Sequence, residues 1–305
     1  MVLEIINLNK YYGNNHVLKD VSFKIQEGNA LGLLGRNGHG KSTTMKIIMG
    51  IIYANSGDVT VDGKPLQESG LKLGYLPEER GLYQKINVLE QLIYFGKLKG
   101  LSSNIAKKHS LDLLEKLEMT EYIKKKALML SKGNQQKIQL AIALLSDPDI
   151  IILDEPYSGL DPVNSRFLQN IIEENAKKNK IILFSSHQLN TVEDFCKDIC
   201  IINKGEVLIY GNLKEIKSKY PKSKVLVIPS HGTMESLINS VNNIPDIKEF
   251  EEHENALHLH LSDEKYRKDV LNEIIEKSDL ESFSVMEPSL LEIFLQLVER
   301  KENNE

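Results

Sequence analysis

The chain has 305 residues, a formal net charge of −5 and two cysteines. This length accommodates one large domain and a smaller one. No stretch approaches the roughly 20 consecutive apolar residues of a membrane span, and no apolar segment follows a basic start, so we expect neither a span nor a secretory signal. The acidic net charge argues against nucleic acid as the main partner, since nucleic-acid-binding domains usually carry a basic stripe. Low cysteine use is typical of cytosolic proteins.

The predicted elements begin with strands, over residues 2–12, 17–25 and 30–34. A glycine-rich segment, Gly35-Arg36-Asn37-Gly38-His39-Gly40-Lys41-Ser42, separates the third strand from a helical pattern over 42–49. Strand, glycine loop and helix in this order are typical of a phosphate-binding P-loop, in which backbone N–H groups point inward. We therefore expect Lys41 to reach the β- and γ-phosphates of a nucleotide and Ser42 to ligate Mg²⁺. The alternative is an accidental glycine turn.

Further strands are predicted over 59–63 and 73–76, and residues 88–145 are mostly helical by pattern. Near the end of this helical region, Ser131 and Gly133 precede an apolar-periodic helix and so form a second potential anion site. One chain needs one γ-phosphate cradle, so the second suits the phosphate of a neighbouring subunit. An ordinary helix cap is the alternative, which spacing alone leaves open.

The next predicted strand, an apolar run at 150–153, ends in the carboxylates Asp154 and Glu155. A buried parallel strand delivers its C-terminal residues to the ligand edge of the sheet. We expect Asp154 to hold Mg²⁺, partly through water, and Glu155 to accept a proton from the attacking water or to orient it. Solvated acids that start a turn look similar, but the loop of Lys41 requires such a partner.

A helix is predicted to open at Pro162, and Asp161 before it is a candidate N-cap. Another apolar strand, over 181–186, ends at His187. A lone histidine is often structural. This one lies at the sheet edge where Lys41 and Glu155 are expected, so we interpret it as a sensor of phosphate.

The chain changes character near Pro221. Strands are predicted over 224–229, 247–261 and 281–287, with a hairpin turn at Glu254-Asn255, and helices over 234–242, 264–277 and 289–300. The order β-α-β-β-α-β-α predicts a small ferredoxin-like α+β domain. We thus predict an α/β core over 1–215 with a helical subdomain at about 86–145, and an accessory domain over 221–305. Strands and helices alternate from Ile150 to Tyr210, where we expect a parallel sheet.

Three features outside this scheme are interpreted as structural or surface features rather than as functional sites. Cys196 and Cys200 are interpreted as buried free thiols, because a metal site would need more ligands. His258 and His260 share one face of a predicted strand, with His253 nearby, and surface histidines are preferred there to a metal site. The lysines at 107–108 and 124–126 indicate a solvated face, with attraction to anionic lipid as the alternative.

Together the motifs resemble the ATP-binding subunit of an ABC transporter, over about residues 1–215. The matching segments are the Walker A loop Gly35–Ser42, the signature Leu130–Gln135, the Walker B strand Ile150–Glu155, the D-loop Ser158–Asp161 and the switch histidine His187. Tyr12 matches the aromatic residue that stacks on adenine, whereas Tyr11 is one residue out of register.

The resemblance implies ATP and Mg²⁺ as cofactors and ATP hydrolysis as the activity. It implies Glu155, His187, Lys41 and Glu78 as catalytic residues and Ser42 and Asp154 as metal ligands. The implied nucleotide-binding residues are Tyr12, Gly35, Arg36, Asn37, Gly38, His39, Gly40, Lys41, Ser42, Thr43, Ser131, Gly133 and Asp161. Two subunits would sandwich two ATP molecules, each between the Walker A loop of one copy and the signature of the other.

The resemblance also implies a partner and a location. The motion of the paired subunits would pass to a multi-pass membrane permease through a groove beside residues 74–83, on the cytoplasmic face of the cell membrane. The segments at 76–83 and 131–137 resemble the branch of bacterial drug-resistance and sodium-efflux exporters, whose ATPase is a separate chain. The second copy is either this chain or a homologous subunit.

Three positions depart from the family pattern. Glu78 replaces the glutamine of the Q-loop, which adds a negative charge beside the phosphates. Lys132 replaces the first glycine of the signature. His39 stands where a small residue is usual, and we expect its ring to point outward rather than to bond a phosphate.

Two other functions compete with transport. A soluble ABC ATPase acting on a ribosome or nucleic acid usually has two linked cores or long coiled coils inserted in the core, and neither pattern is present. A metabolic P-loop kinase would need an acceptor site and would leave Ser131–Gln135 unexplained.

Overall fold

The structure is a computed structural model that describes residues 1–79, 81–193, 196–230 and 234–302. The chain divides into two compact units, Met1–Leu213 and Lys214–Glu305. Within the described ranges, no helix combines the length and the apolar character needed to cross a lipid bilayer.

The first unit alternates strands and helices. Its elements are β1 (Val2–Tyr12), β2 (Asn15–Gln26), β3 (Ala30–Leu34), α1 (Lys41–Ile48), β4 (Ser56–Val61), β5 (Lys64–Pro65), β6 (Leu73–Leu76), α2 (Val88–Leu98), α3 (Ser103–Lys116), α4 (Lys132–Leu144), β7 (Ile150–Leu153), α5 (Pro162–Lys177), β8 (Ile181–Ser186), α6 (Leu189–Glu193), β9 (Asp198–Asn203) and β10 (Glu206–Asn212). A further helix, α7 (Leu213–Ser218), begins where this unit ends.

A six-stranded sheet in the order β10-β9-β3-β8-β7-β6 forms the centre of this unit. Strands β9, β3, β8, β7 and β6 are parallel, which confirms a predominantly parallel α/β core. The prediction of a parallel sheet through Tyr210 is wrong for β10, which is antiparallel to β9. The two-residue turn between them, Lys204-Gly205, has positive φ at both positions (48° and 85°), which is the geometry of a tight hairpin.

A second, antiparallel sheet in the order β2-β1-β4-β5 packs on the first. Its buried side chains, including Leu3, Ile5 and Phe23, share one core with Met45 and Ile48 of α1 and with strands of the first sheet. The alternation of buried and exposed residues along β2 is the pattern expected of a half-buried strand. Between α1 and β7, helices α2, α3 and α4 contact one another, and α4 also packs against β6.

Strand order brings the predicted site residues to one edge of the sheet. Strand β8 lies between β3 and β7, and all three run in the same direction. Their carboxyl ends therefore lie side by side. The glycine loop follows β3, Asp154 and Glu155 follow β7, and His187 follows β8.

The second unit is a ferredoxin-like α+β domain, as predicted. Its elements are β11 (Lys224–Pro229), α8 (Met234–Val241), β12 (Ile247–His253), β13 (Ala256–Leu261), α9 (Arg267–Lys277), β14 (Leu280–Met286) and α10 (Leu290–Glu302). The sheet order is β12-β13-β11-β14 with every neighbouring pair antiparallel. Alternate residues of β11 and β13 are buried against α8 and α9 in a separate core.

The two cysteines and the histidines of the second unit form no special site. Cys196 and Cys200 are buried and unpaired by disulfides, as predicted. His253 and His258 lie ring to ring, with centroids 4.6 Å apart, and His260 Nδ1 lies 3.3 Å from a Glu249 carboxylate oxygen. In the part of the chain that the structure describes, no group of histidine, cysteine and carboxylate side chains has the arrangement of a metal site.

Candidate nucleotide-binding site

The loop between β3 and α1 requires glycine at two positions. Gly35 has φ of 148°, and a Cβ atom there would lie 2.2 Å from the carbonyl oxygen of Ile202. Gly40, the residue before α1, has φ of 107°, and a Cβ atom there would lie 2.5 Å from a methyl carbon of Leu18. Both backbone conformations are unfavourable for residues with a side chain. The loop therefore closes tightly in front of the helix start.

Lys41 turns back into this loop. Its Nζ atom donates a hydrogen bond to the Gly35 carbonyl at 2.7 Å and lies 3.2 Å from Glu155 Oε1. The side chains of Lys41 and Glu155 are 5% and 6% exposed. A buried lysine that is paired with a carboxylate and surrounded by loop carbonyls is poised to exchange these partners for phosphate oxygens.

Glu155 connects the glycine loop with His187. Its backbone has φ of 48°, and His187 Nδ1 donates to its Oε2 at 2.8 Å. Its Oε1 is buried and, despite the nearby Lys41, receives no hydrogen bond of acceptable geometry from the described residues. A buried carboxylate oxygen with spare accepting capacity can take a hydrogen bond from water.

Asp154 and Ser42 lie beside this pair. Ser42 Oγ and Ser185 Oγ donate to Asp154 Oδ1 at 3.2 Å and 2.7 Å. The Ser185 hydroxyl in turn accepts from the backbone N–H of Glu155 at 2.8 Å. Ser185 is a site residue that sequence reasoning did not single out. The feature of the sequence that could have indicated it is the polar pair Ser185-Ser186 at the end of an otherwise apolar strand.

A pocket of about 200 Å³ opens beside Lys41, Ser42 and Glu155. The lining comprises residues of the glycine loop and the start of α1 together with two carboxylates: Asn37, Gly38, Gly40, Lys41, Ser42, Thr43, Glu78 and Glu155. Burial, followed by the negative charges of Asp154 and Glu78, raises the pKa of Tyr75 to about 12. Glu78 therefore belongs to the same electrostatic environment as Asp154. Arg80, close to it in sequence, lies outside the described residues.

A donor set of this kind fits a magnesium ion. Ser42, which lines the pocket, and the buried Asp154 behind it present two hard oxygen atoms, Oγ and Oδ1, 3.2 Å apart. Magnesium in nucleotide sites is typically held by one or two protein oxygens together with phosphates and water. The residues present match that requirement.

His39 and Arg36 are in the loop but not in the pocket lining. The His39 ring lies near the Asn203 side chain, and its Nδ1 is buried without a partner among the described residues. The ring is thus half-buried rather than fully outward, and the absence of a bond to phosphate stays a prediction. Burial, and then the charges of Arg36 and Lys41, lower the pKa of His39.

The rings of Tyr11 and Tyr12 differ in how accessible they are for stacking on a nucleotide base. Tyr11 is stacked on His16, with ring centroids 3.9 Å apart. Tyr12 is 50% exposed, and Lys10 Nζ lies 5.3 Å from the centre of its ring. Since stacking on a base needs an accessible ring face, Tyr12 is the better candidate.

The remaining predicted residues do not reach the pocket of their own chain. Ser131 is the N-cap of α4, where its hydroxyl accepts from the Asn134 N–H at 3.3 Å. Asp161 is the N-cap of α5 and accepts from Asn164 N–H at 2.9 Å. Neither they nor Gly133 belongs to the pocket lining described above. Both caps are exposed, so the N-termini of α4 and α5 face solvent in a single copy.

Comparison with known proteins agrees with this geometry. Residues 18–158 match the family model described as ABC transporter, and residues 211–298 match the C-terminal domain of DrrA1-3-like ATP-binding proteins. YhaQ of Bacillus subtilis, an uncharacterized ABC transporter ATP-binding protein, is 37% identical over 298 residues, which cover 97% of this chain and 98% of YhaQ. The linearmycin resistance ATP-binding protein LnrL of the same organism is 30% identical over 307 residues, covering 98% and 99%.

A solved structure is also similar. The dimeric structure of a bacterial ABC transporter cassette superimposes with a TM-score of 0.63 and 25% identity, covering 69% of this chain and 98% of that one. The relatives match from end to end, and the glycine loop faces the carboxylates that follow β7. On these grounds the chain belongs to the ATP-binding proteins of ABC transporters, and it is an ATPase.

Proposed function

We propose that two copies of this chain close on two Mg²⁺·ATP molecules and energise a separate multi-pass membrane permease that acts as an exporter. The observation that carries the enzymatic part is the position of Glu155, buried between Lys41 and His187 at the pocket wall. The exporter assignment is supported by LnrL, whose name is that of a resistance protein and which matches both units of the chain.

In this proposal Glu155 acts on the attacking water. Its Oε1 has capacity for another hydrogen bond, and His187 fixes the position of the carboxylate through Oε2. A carboxylate so held orients a water molecule and accepts its proton during attack on the γ-phosphate. Lys41 leaves the Gly35 carbonyl and Glu155 for phosphate oxygens, which frees the carboxylate for the water.

Ser42 and Asp154 would hold Mg²⁺, and Ser185 would keep Asp154 in place through its hydroxyl hydrogen bond. When bound, the ion supplies positive charge that stabilises the phosphate oxygens during transfer. Tyr12 would stack on the adenine. The backbone N–H groups of the glycine loop, at the positive end of α1, would bind the phosphates.

The second half of each site would come from the other copy. Ser131, Gly133 and Asp161 lie at exposed helix N-termini outside the pocket of their own chain. Such ends bind anions through free N–H groups and the helix dipole. Two copies related head to tail would bring each set to the other copy's γ-phosphate, and the similarity to a dimeric cassette supports this pairing.

Permease docking is proposed at the surface beside the Q-loop. Tyr83, Ile86 and Tyr94 are 47%, 40% and 47% exposed there. The ring of Tyr83 lies within 6.0 Å of Tyr94 and 5.9 Å of Phe95, so the aromatic side chains form one surface. Exposed aromatic clusters of this kind mark protein–protein contacts. The chain, with an ATP-binding domain over 1–215 and an accessory domain over 221–305, would lie peripherally on the cytoplasmic face of the membrane.

The test is the Glu155→Gln variant. We expect hydrolysis to fall by at least ~100-fold while ATP binding is retained, so that ATP traps a dimer. Glu174→Gln is the matched control, because Glu174 pairs with Lys116 and Lys178 away from the pocket. Purified from detergent extracts, the trapped form should bring a polytopic membrane chain with it. Normal turnover by the variant would remove Glu155 from the mechanism, and a bound ribosome or DNA would overturn the transport assignment.

A further inference from the structure

Glu78 carries an unbalanced negative charge at the nucleotide pocket. Its side chain is exposed and lines the pocket together with Lys41 and Glu155. No described residue forms a hydrogen bond or an ion pair with Glu78. The lysine in the lining, Lys41, is already paired with Glu155. A triphosphate in this pocket, to which the proposed function assigns Lys41, would therefore meet the charge of Glu78 without an ion-pair partner for Glu78 among the described residues.

Lys132 carries an unbalanced positive charge at the start of α4. It is the first residue of the helix, next to the N-cap Ser131, and its side chain is exposed. A cation at this end of a helix is repelled by the helix dipole, and the first turn of α4 contains no acidic residue. Among the described residues no hydrogen bond or ion pair offsets this repulsion. Nothing that the structure describes within one chain accounts for a lysine at this position.

The proposed head-to-tail pair would bring these two charges toward each other. In that arrangement the Ser131 end of α4 in one copy would cover the pocket of the other copy, and Glu78 lines that pocket. Both residues depart from the family pattern, and they depart with opposite charge. Charge complementarity of this kind selects partners and fixes register at protein interfaces.

We propose that Lys132 of each copy forms an ion pair with Glu78 of the other copy when ATP closes the dimer. The pair neutralises Glu78 beside the phosphates and gives Lys132 the anionic partner that it lacks in the single chain. It also makes this chain selective for a second copy of itself, because a subunit without the opposite charge would leave one member unpaired. The inference rests on the paired-copy model of the proposed function.

A charge-swap mixing experiment tests the pair. Lys132→Glu and Glu78→Lys are introduced separately, each in the Glu155→Gln background, and the two differently tagged proteins are mixed with ATP. Each homodimer then contains two like-charge contacts, whereas the mixed dimer contains one native pair and one reversed pair. We expect mixed dimers to exceed each homodimer by about tenfold or more in native mass spectra, and less so at high salt.

Glu79→Lys is the matched control for Glu78→Lys. Glu79 is the neighbouring exposed glutamate and lies outside the pocket lining. Gln139 of α4 donates a hydrogen bond to its backbone carbonyl at 3.3 Å, a contact that a side-chain substitution leaves in place. Mixed with Lys132→Glu, it should give no preference for the mixed dimer. Homodimers of Glu78→Lys that form as readily as those of the parent overturn the ion pair, because two facing lysines would then cost nothing. If the Glu155→Gln parent itself stays monomeric with ATP, the proposed function fails together with the inference.

A second experiment measures how close positions 78 and 132 of the two copies come, without introducing like charges that repel. In the same background, Glu78→Cys and Lys132→Cys are combined in one chain and treated with a short bifunctional thiol crosslinker, with and without ATP, because the Cβ atoms of an ion-paired lysine and glutamate lie farther apart than a disulfide spans. The native Cys196 and Cys200 are buried and do not compete. We expect a crosslinked dimer that requires ATP. ATP-dependent dimers that carry no such crosslink would overturn the proposed contact while leaving the paired-copy model intact.

Discussion

Removal of one hydroxyl group, in Ser185→Ala, should damage both the stability and the chemistry of the site. Ser185 is fully buried. Its Oγ donates to Asp154 at 2.7 Å and accepts from the Glu155 N–H at 2.8 Å. The variant therefore removes a hydrogen bond to a carboxylate and leaves a buried N–H without an acceptor.

The size of the effect follows from these two contacts. A hydrogen bond to a charged group contributes about 1.5–3 kcal/mol, and an unsatisfied buried donor costs about 1–3 kcal/mol. We expect a loss of unfolding free energy on the order of 3 kcal/mol, which lowers the melting temperature of a unit of this size by roughly 6–12 °C. Because Asp154 loses its orienting partner, the turnover number should also fall by about 10- to 100-fold.

Ser186→Ala is the matched control. Ser186 is the adjacent buried serine, and its hydroxyl accepts from Gln188 N–H at 3.0 Å without touching Asp154 or Glu155. Thermal unfolding and steady-state hydrolysis are measured on both variants. Ser186→Ala should retain turnover. Equal melting temperatures and equal turnover for the two variants would refute the role of Ser185.

The other predictions concern single side chains. Tyr12→Ala should weaken ATP binding about tenfold because stacking on the adenine is lost. Tyr11→Ala should not, because the ring of Tyr11 is stacked on His16. Titration with a fluorescent nucleotide measures both affinities, and equal losses would contradict the assignment of Tyr12. Burial raises the pKa of Cys196 to about 12 and also raises the pKa of Cys200. Neither thiol should therefore react with a thiol reagent at pH 8 until the chain is unfolded. Rapid labelling of the folded protein would contradict this prediction. Gly74→Ala should destabilise the chain by about 1–3 kcal/mol in denaturant titration, because its Cβ would lie 2.5 Å from a backbone carbonyl of α4; an unchanged midpoint would show that α4 shifts freely.

The sequence predicted the elements whose chemistry is local. In the second unit the alternation Val225, Val227 and Leu257, Leu259 identified strands because each strand is buried on one face only. The glycine loop was predictable for a related reason. Gly35 and Gly40 have backbone conformations that favour glycine, so the loop is visible in the sequence as a glycine pattern between a strand and a helix.

Contacts between distant segments could not be predicted in this way. Ser185 matters because β8 lies beside β7 in the sheet, and strand order is not encoded in any short window. The half-buried His39 ring lies near Asn203, which is brought to the loop by the pairing of β9 with β3. The antiparallel β10 was missed although the Lys204-Gly205 turn carried a local hairpin signal, because the alternation of strands and helices before it suggested a further parallel strand.

The backbone of Glu155 shows how the two halves of the site are coupled. A residue with a side chain at φ of 48° carries strain of about 1–3 kcal/mol, which a glycine would avoid. Glycine, however, would leave Lys41 and His187 without the carboxylate that both contact. The strained N–H is held by the Ser185 hydroxyl, and the same hydroxyl holds Asp154. The side chain proposed to act on water and the one proposed to hold the metal therefore cannot move independently, so a disturbance of either should appear in both the metal affinity and the rate of hydrolysis.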